Sequence, residues 1–119
     1  MGGNDRLIGG LGADKMRGGA GDDRFIFATA AQSNPAAPDL IKDFDDSGND
    51  RIELSQLFGG TLTFRGQNAF TGVNQVRVND IAGADVLVEV NLSGNVAPEL
   101  VIRLAGTAAA SVAADDFVL

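Results

Sequence analysis

Cysteine, histidine, tyrosine and tryptophan are all absent from this chain of 119 residues. No disulfide can brace the fold, so a metal ion is the expected staple for its weakest part. Without histidine or cysteine, imidazole acid-base catalysis, Ser-His-Asp and Cys-His nucleophile arrangements, and zinc sites built on those ligands are excluded. No apolar run approaches the length needed to cross a bilayer, so membrane insertion is not expected. Positive charge is scarce: nine Lys and Arg against sixteen Asp and Glu leave a net charge of -7. With a pI near 4.3, nucleic acid and anionic membranes are poor partners. The N-terminus, Met1-Gly2-Gly3-Asn4, carries no charged and apolar leader, and no cleaved secretory signal is expected. The hydrophobic content of 45% suits one domain with a modest core.

Glycine, by contrast, is plentiful and ordered. Asp5, Asp14 and Asp23 lie nine residues apart, each two positions after a glycine (Gly3, Gly12, Gly21) and two before a large apolar residue (Leu7, Met16, Phe25). Two complete nonapeptides, residues 9–17 and 18–26, follow a partial one at 2–8. This is a known pattern, the calcium-binding repeat of parallel β-helices. Its physics follows from the residue types. The first six residues of each copy turn tightly, and glycine there permits positive φ and close backbone approach to an ion. The last three form a short strand whose middle residue points inward while the flanking Lys or Arg stays in solvent. Two nonapeptides make one coil, so turns on the same side are eighteen residues apart and the Asp5 turn stacks on the Asp23 turn. Carboxylates plus carbonyls of Gly3, Gly10, Gly12, Gly19, Ala20 and Gly21 would offer the oxygen-only coordination that suits Ca²⁺. A flexible glycine-rich linker is the plainer alternative, but a linker has no need to hold Asp and an apolar residue in register.

Beyond the repeats, 28–38 reads as a connector. From Asp39 onward, short apolar stretches alternate with turn signals at the spacing of an antiparallel sandwich. Strands are expected near Leu40 to Phe44, Arg51 to Leu54, Thr61 to Arg65, Gln75 to Asn79, Val86 to Asn91 and Leu100 to Leu104, with Phe117 to Leu119 closing the chain. Val86, Val88 and Val90 share one face, as do Leu100, Ile102 and Leu104. Ser55 to Phe58 has the look of one helical turn. The alanine run Ala108 to Ala114 is short and uncapped, and a loop is preferred there.

These segments carry a family resemblance. Gly21-Asp22-Asp23-Arg24-Phe25-Ile26-Phe27, then Ser33 to Phe44 including Pro38-Asp39-Leu40-Ile41-Lys42-Asp43-Phe44, then Asp50-Arg51-Ile52-Glu53-Leu54-Ser55, Ala69-Phe70-Thr71-Gly72 and Ile102-Arg103-Leu104-Ala105-Gly106 resemble the C-terminal domain of serralysin-type secreted metalloproteases. The resemblance implies an all-β fold in which a short calcium-binding parallel β-roll of RTX nonapeptide repeats (1–27) joins, through 28–38, an antiparallel β-sandwich (39–119). It also implies a place downstream of a catalytic domain, extracellular localisation, and export by a type I (ABC transporter) secretion system. Related modules end lipases, epimerases and adhesins. In the family, an acidic residue before the connector serine and the Asp seven residues later help bind calcium; those positions are Gln32 and Asp39 here. Gln32 also falls eighteen residues after Asp14, which would place it above Asp14 in the stack. Asp5 with Asp23, and Asp14 with Asp39 and Gln32, are therefore the expected metal sites. The terminal Asp116-Phe117-Val118-Leu119 resembles the end motif of type I export substrates, though an edge strand would read the same way.

Two acidic or polar loops are weaker candidates. Asp45 to Asp50 has EF-hand-like alternation, but Asp50 stands where that loop needs glycine, and an ordinary solvated connection is the preferred reading. Asn91 to Asn95 has no carboxylate at all. Paired carboxylates for catalysis are adjacent in sequence and sit in turn contexts, so no enzyme activity is expected of this chain. The expected role is calcium-responsive folding and export, as a monomer. A polysaccharide-binding or adhesin module is the competing class; the lack of Trp and Tyr platforms and the acidic net charge oppose it.

Overall fold

The structure, a computed structural model, describes residues 6–8, 14–17, 23–28, 38–42, 44, 50–57, 61–80, 85–92, 98–105, 112 and 114–119. Among them run ten strands: β1 (Arg6–Leu7), β2 (Lys15–Met16), β3 (Arg24–Ile26), β4 (Asp39–Ile41), β5 (Arg51–Glu53), β6 (Thr63–Phe64), β7 (Gln75–Asp80), β8 (Val86–Asn91), β9 (Leu100–Leu104) and β10 (Phe117–Val118). They form a four-stranded sheet, β1-β3-β5-β10, and a six-stranded sheet, β2-β4-β9-β8-β7-β6. The chain alternates between the two sheets through β5, which is the path of a roll.

Every pairing in the four-stranded sheet is parallel. Arg6 and Leu7 align with Arg24 and Phe25, the eighteen-residue step of the repeats. The inward residues then form one ladder, Leu7, Phe25, Ile52 and Phe117. On the opposite sheet Met16, Ile41, Leu104 and Val86 form another. Phe25, Ile41, Ile52, Val86 and Leu104 are all fully buried. Each such side chain contributes about 1.5–3 kcal/mol by leaving water, so a two-residue strand is held by its one inward side chain more than by its few hydrogen bonds.

The parallel stacking does not stop at residue 27. β4 adds to β2 and β5 adds to β3, in register. After a meander in which β7, β8 and β9 pair antiparallel, β9 lies parallel to β4, and β10 returns to lie parallel to β5. The fold is thus all-β with the roll and the antiparallel part sharing one sheet and one core. The strands expected from 39 onward are present, but their pairing is mixed, because four of them extend the roll. Ser55 to Leu57 makes a turn closed by the Leu57 N–H donating to the Leu54 carbonyl. Of the alanine run, only Val112 and Ala114 are described, the latter opening a 3₁₀ turn at Ala114–Asp116.

The antiparallel part is built by alternation. Val76, Val78, Val86, Val88, Val90, Leu100, Ile102 and Leu104 face inward and are fully buried. On the outer face Arg77 pairs with Glu89 at 3.4 Å, and Asn79 bridges both residues. The Phe70 ring covers the guanidinium at 5.6 Å from its centroid. Phe64 packs on Phe117 at 5.3 Å between centroids, tying the far edge of one sheet to the last strand of the other.

Candidate metal centre

Each strand from β2 to β5 is entered through an aspartate. Asp14 precedes β2, Asp23 precedes β3, Asp39 opens β4 and Asp50 precedes β5. Parallel register brings Asp14 and Asp39 together on one side of the roll, and Asp23 and Asp50 on the other. The same contact recurs in both pairs. The Asp14 N–H donates to Asp39 Oδ1 at 2.8 Å, and the Asp23 N–H donates to Asp50 Oδ1 at 2.9 Å. One oxygen of the later aspartate thus caps the turn of the earlier coil.

Burial makes these carboxylates costly. Asp39 is 0% exposed, and Asp23 and Asp50 are each 1% exposed. The Oδ2 atoms of Asp14, Asp23 and Asp39 are shielded from solvent, and Asp14 Oδ2 accepts no hydrogen bond among the described residues. Burial of a carboxylate favours its neutral form unless a cation compensates. Asp39 shows the effect: burial pushes its carboxyl above the ordinary 3.8, and the nearby charge of Asp14 pushes it further, against the opposing hydrogen bond from the Asp14 amide.

Stability should therefore depend on pH in opposite senses with and without a cation. In chelator, between 3.8 and the raised value, the folded chain holds the Asp39 proton more tightly than the unfolded chain does. The Asp39 contribution is fully present below 3.8 and is lost as pH rises through the raised value. With calcium the ionised carboxylate is the required form, so stability should rise over the same window. Melting curves of wild type and Asp39→Asn across that window isolate this residue, the difference between them being its contribution.

The donor set fits a hard cation, since it offers only oxygen. Among the described residues no three or more Asp or Glu converge, so each pair would need backbone carbonyls to reach the six to eight oxygens that calcium takes. Asp5, Gln32 and the backbone positions Gly3, Gly10, Gly12, Gly19, Ala20 and Gly21 lie outside the described residues. In the strand register the position beside Asp14 is taken by Asp39, twenty-five residues on, while Gln32, eighteen on, lies outside the described residues. Asp50, taken from sequence as part of a solvated connection, is instead buried against the Asp23 turn. A signal for it was present. Asp50-Arg51-Ile52 repeats the Asp-basic-apolar triplets Asp5-Arg6-Leu7, Asp14-Lys15-Met16 and Asp23-Arg24-Phe25.

The C-terminal motif is part of the fold. Phe117 aligns with Ile52 and is 6% exposed, and the Leu54 N–H donates to the Val118 carbonyl at 2.9 Å. Leu119 packs against the core, and Asp116 ends the 3₁₀ turn that leads into β10.

Known proteins are similar to this chain in sequence and in fold. The chain is 37% identical over 84 residues to Serralysin C of Dickeya chrysanthemi, a match covering 69% of this chain and 17% of that protein. It is 40% identical over 90 residues to Metallopeptidase AprA of Pseudomonas marginalis, covering 73% of this chain and 18% of that protein. The chain thus spans less than a fifth of the length of these relatives. Among solved structures, the AlgE6R3 subunit of the Azotobacter vinelandii mannuronan C5-epimerase superposes with a TM-score of 0.65 at 32% identity, covering 98% of this chain and 66% of that one. The AlgE6R2 subunit of the same enzyme gives 0.68 at 26% identity, covering 98% and 71%. With residues 2–119 matching the family described as Peptidase M10 serralysin C terminal, this chain belongs to the serralysin C-terminal family.

Proposed function

We propose that this chain is a non-catalytic, calcium-responsive folding and export module of a longer secreted protein, and that a metalloprotease domain precedes it in that protein. The observation that carries the reading is the doubled aspartate contact, in which the carboxylate of the later coil is buried against the turn of the earlier one. Calcium supplies the positive charge that this arrangement calls for. Asp14, Asp23 and Asp39 would hold it, together with Asp5, with Gln32 as a neutral donor and with carbonyls of the glycine turns. Asp39 and Asp50 additionally fix the turns through the Asp14 and Asp23 amides.

The chain's own residues then account for switching. At low calcium, buried acidic pairs oppose stacking and the chain stays loose, as passage through an ABC transporter requires. Ligand at one hundred times Kd stabilises by about 2.7 kcal/mol per site, a large share of a small domain's margin. Folding also buries Phe117 beside Ile52, so recognition of Asp116 to Leu119 by the export machinery belongs to the unfolded chain. The absence of histidine supports the non-catalytic part of the reading, because the zinc motif of such proteases is built on histidines. Calorimetric titration should show saturable calcium binding by the wild type that weakens in Asp23→Ala. A wild type that takes up no calcium would remove the reading.

A second reading, binding of a polysaccharide, is supported by the likeness over 98% of the chain to subunits of an enzyme named for mannuronan.

A further inference from the structure

The two aspartate pairs are built alike and differ in what lies beyond them. In each, the later strand grips the peptide of the earlier aspartate at both its polar groups. The Asp14 N–H donates to Asp39 Oδ1 at 2.8 Å, and the Asp14 carbonyl accepts from the Leu40 N–H at 2.8 Å. The Asp23 N–H donates to Asp50 Oδ1 at 2.9 Å, and the Asp23 carbonyl accepts from the Arg51 N–H at 2.9 Å. Beyond β4 lies the five-residue β9, paired along its whole length with β8. Beyond β5 lies the two-residue β10, which carries the C-terminal motif.

β10 takes its place from β5. Phe117 and Val118 align with Ile52 and Glu53, and the Leu54 N–H donates to the Val118 carbonyl at 2.9 Å. The Phe64 ring on Phe117 and the Leu62 N–H, which donates to the Leu119 carbonyl at 3.4 Å, add to the seat from the other side. β5 itself is three residues long and is fastened to β3 at both ends. Asp50 fastens the start. Glu53 fastens the end, where its side chain accepts from Arg24 at 3.1 Å and its carbonyl from the Phe27 N–H at 3.1 Å. Strands this short are marginal alone and depend on their neighbours. The contacts therefore run in one line from the Asp23 turn, through Asp50 and β5, to the last residues of the chain.

Building on the calcium reading above, we propose that Asp50 is a positioning residue that latches the C-terminal strand to the state of the repeats. It acts through its hydrogen bond to the Asp23 amide and not as a calcium ligand. Once calcium orders the Asp23 turn, the amide is presented to Asp50 and β5 docks on β3. Ile52 and Leu54 then offer β10 its seat. With the repeats loose, the Asp50 acceptor loses its donor, β5 is not held, and Asp116 to Leu119 are released. Asp39 makes the same grip without this consequence, because β9 has β8 as a second, longer partner. Linkage is reciprocal, so a seated β10 also favours the ordered turn.

The test is amide hydrogen exchange, followed by NMR in wild type, Asp50→Ala and Asp50→Asn, in chelator and in saturating calcium. Calcium uptake by the same three proteins is measured by calorimetry. The Leu54 and Leu62 amides report the seat of β10, and the Leu40 amide, which donates to Asp14 on the other sheet, is the internal reference. Calcium should slow exchange at all three in the wild type. In calcium, Asp50→Ala should speed Leu54 and Leu62 by about tenfold, the scale of one hydrogen bond to a charged acceptor, and leave Leu40 unchanged. Asp50→Asn keeps the Oδ1 acceptor and should restore wild-type exchange and calcium uptake, a rescue that a ligand carboxylate would not allow. Unchanged exchange at Leu54 and Leu62 in Asp50→Ala overturns the latch, as does equal acceleration at Leu40 in a variant that still folds. Failure of Asp50→Asn to rescue overturns it too. If Asp50→Ala does not fold, Asp50→Asn decides alone: wild-type exchange at both amides supports the latch, and faster exchange overturns it. A wild type that takes up no calcium removes the calcium reading itself, whereas uptake without these exchange effects removes the latch alone.

Discussion

Asp39→Asn should make the chain more stable than wild type in chelator and less stable than wild type in calcium. The asparagine keeps the shape and the Oδ1 acceptor that caps the Asp14 N–H. It removes a charge whose burial and proximity to Asp14 are unfavourable without a cation. Without metal the melting temperature should therefore rise. In calcium the lost carboxylate weakens the site. A site otherwise filled at one hundred times Kd is worth about 2.7 kcal/mol, and its loss lowers the melting temperature by about 10 °C. A sign change between the two buffers is specific to a metal-linked carboxylate, because a purely structural aspartate would be affected equally in both.

Phe25→Ala should be the most damaging substitution within the repeats, even in saturating calcium. Phe25 is fully buried between Leu7 and Ile52 in the inward ladder, with the Phe44 ring at 6.3 Å. Truncation leaves a cavity in the middle of the stack and costs about 3–5 kcal/mol, a large fraction of the stability of a domain this size. Because β3 lies between β1 and β5, the hole separates the repeats from the remainder of the sheet. Thermal unfolding followed by circular dichroism and by methyl NMR signals of Val88 and Ile102 should show one transition, shifted down for both probes. If the methyl signals of the meander held their wild-type melting temperature while the strands of the repeats melted, the single shared core would be wrong.

Much of this was legible in the sequence. The eighteen-residue step from Arg6 to Arg24 follows from nonapeptide arithmetic, and it holds. Val86–Asn91 and Leu100–Leu104 announce themselves by period-2 burial, since alternate residues of a strand face opposite sides. Partner choice was less visible. β9 beside β4, and β10 beside β5, join segments far apart in the chain, and a strand of two or three residues carries too few side chains to specify its neighbour. That is why these strands read as parts of an antiparallel sandwich and prove to extend the parallel roll. Asp14 and Asp39 do meet, as expected of one site, across a step of twenty-five residues that nonapeptide arithmetic does not give. Asp50 was hidden by its acidic surroundings, although its triplet with Arg51 and Ile52 matched the repeats. Net charge concealed the most: -7 averaged over the chain gives no hint of Arg6, Arg24 and Arg51 aligned on one sheet.

Far-ultraviolet circular dichroism and melting temperature of the wild-type chain, measured in chelator and then through a calcium titration, decide whether calcium drives its folding. Weak β-structure and a transition at low temperature are expected in chelator, with cooperative gain of both signals as calcium is added. Identical spectra and identical melting temperatures with and without calcium would contradict calcium-driven folding.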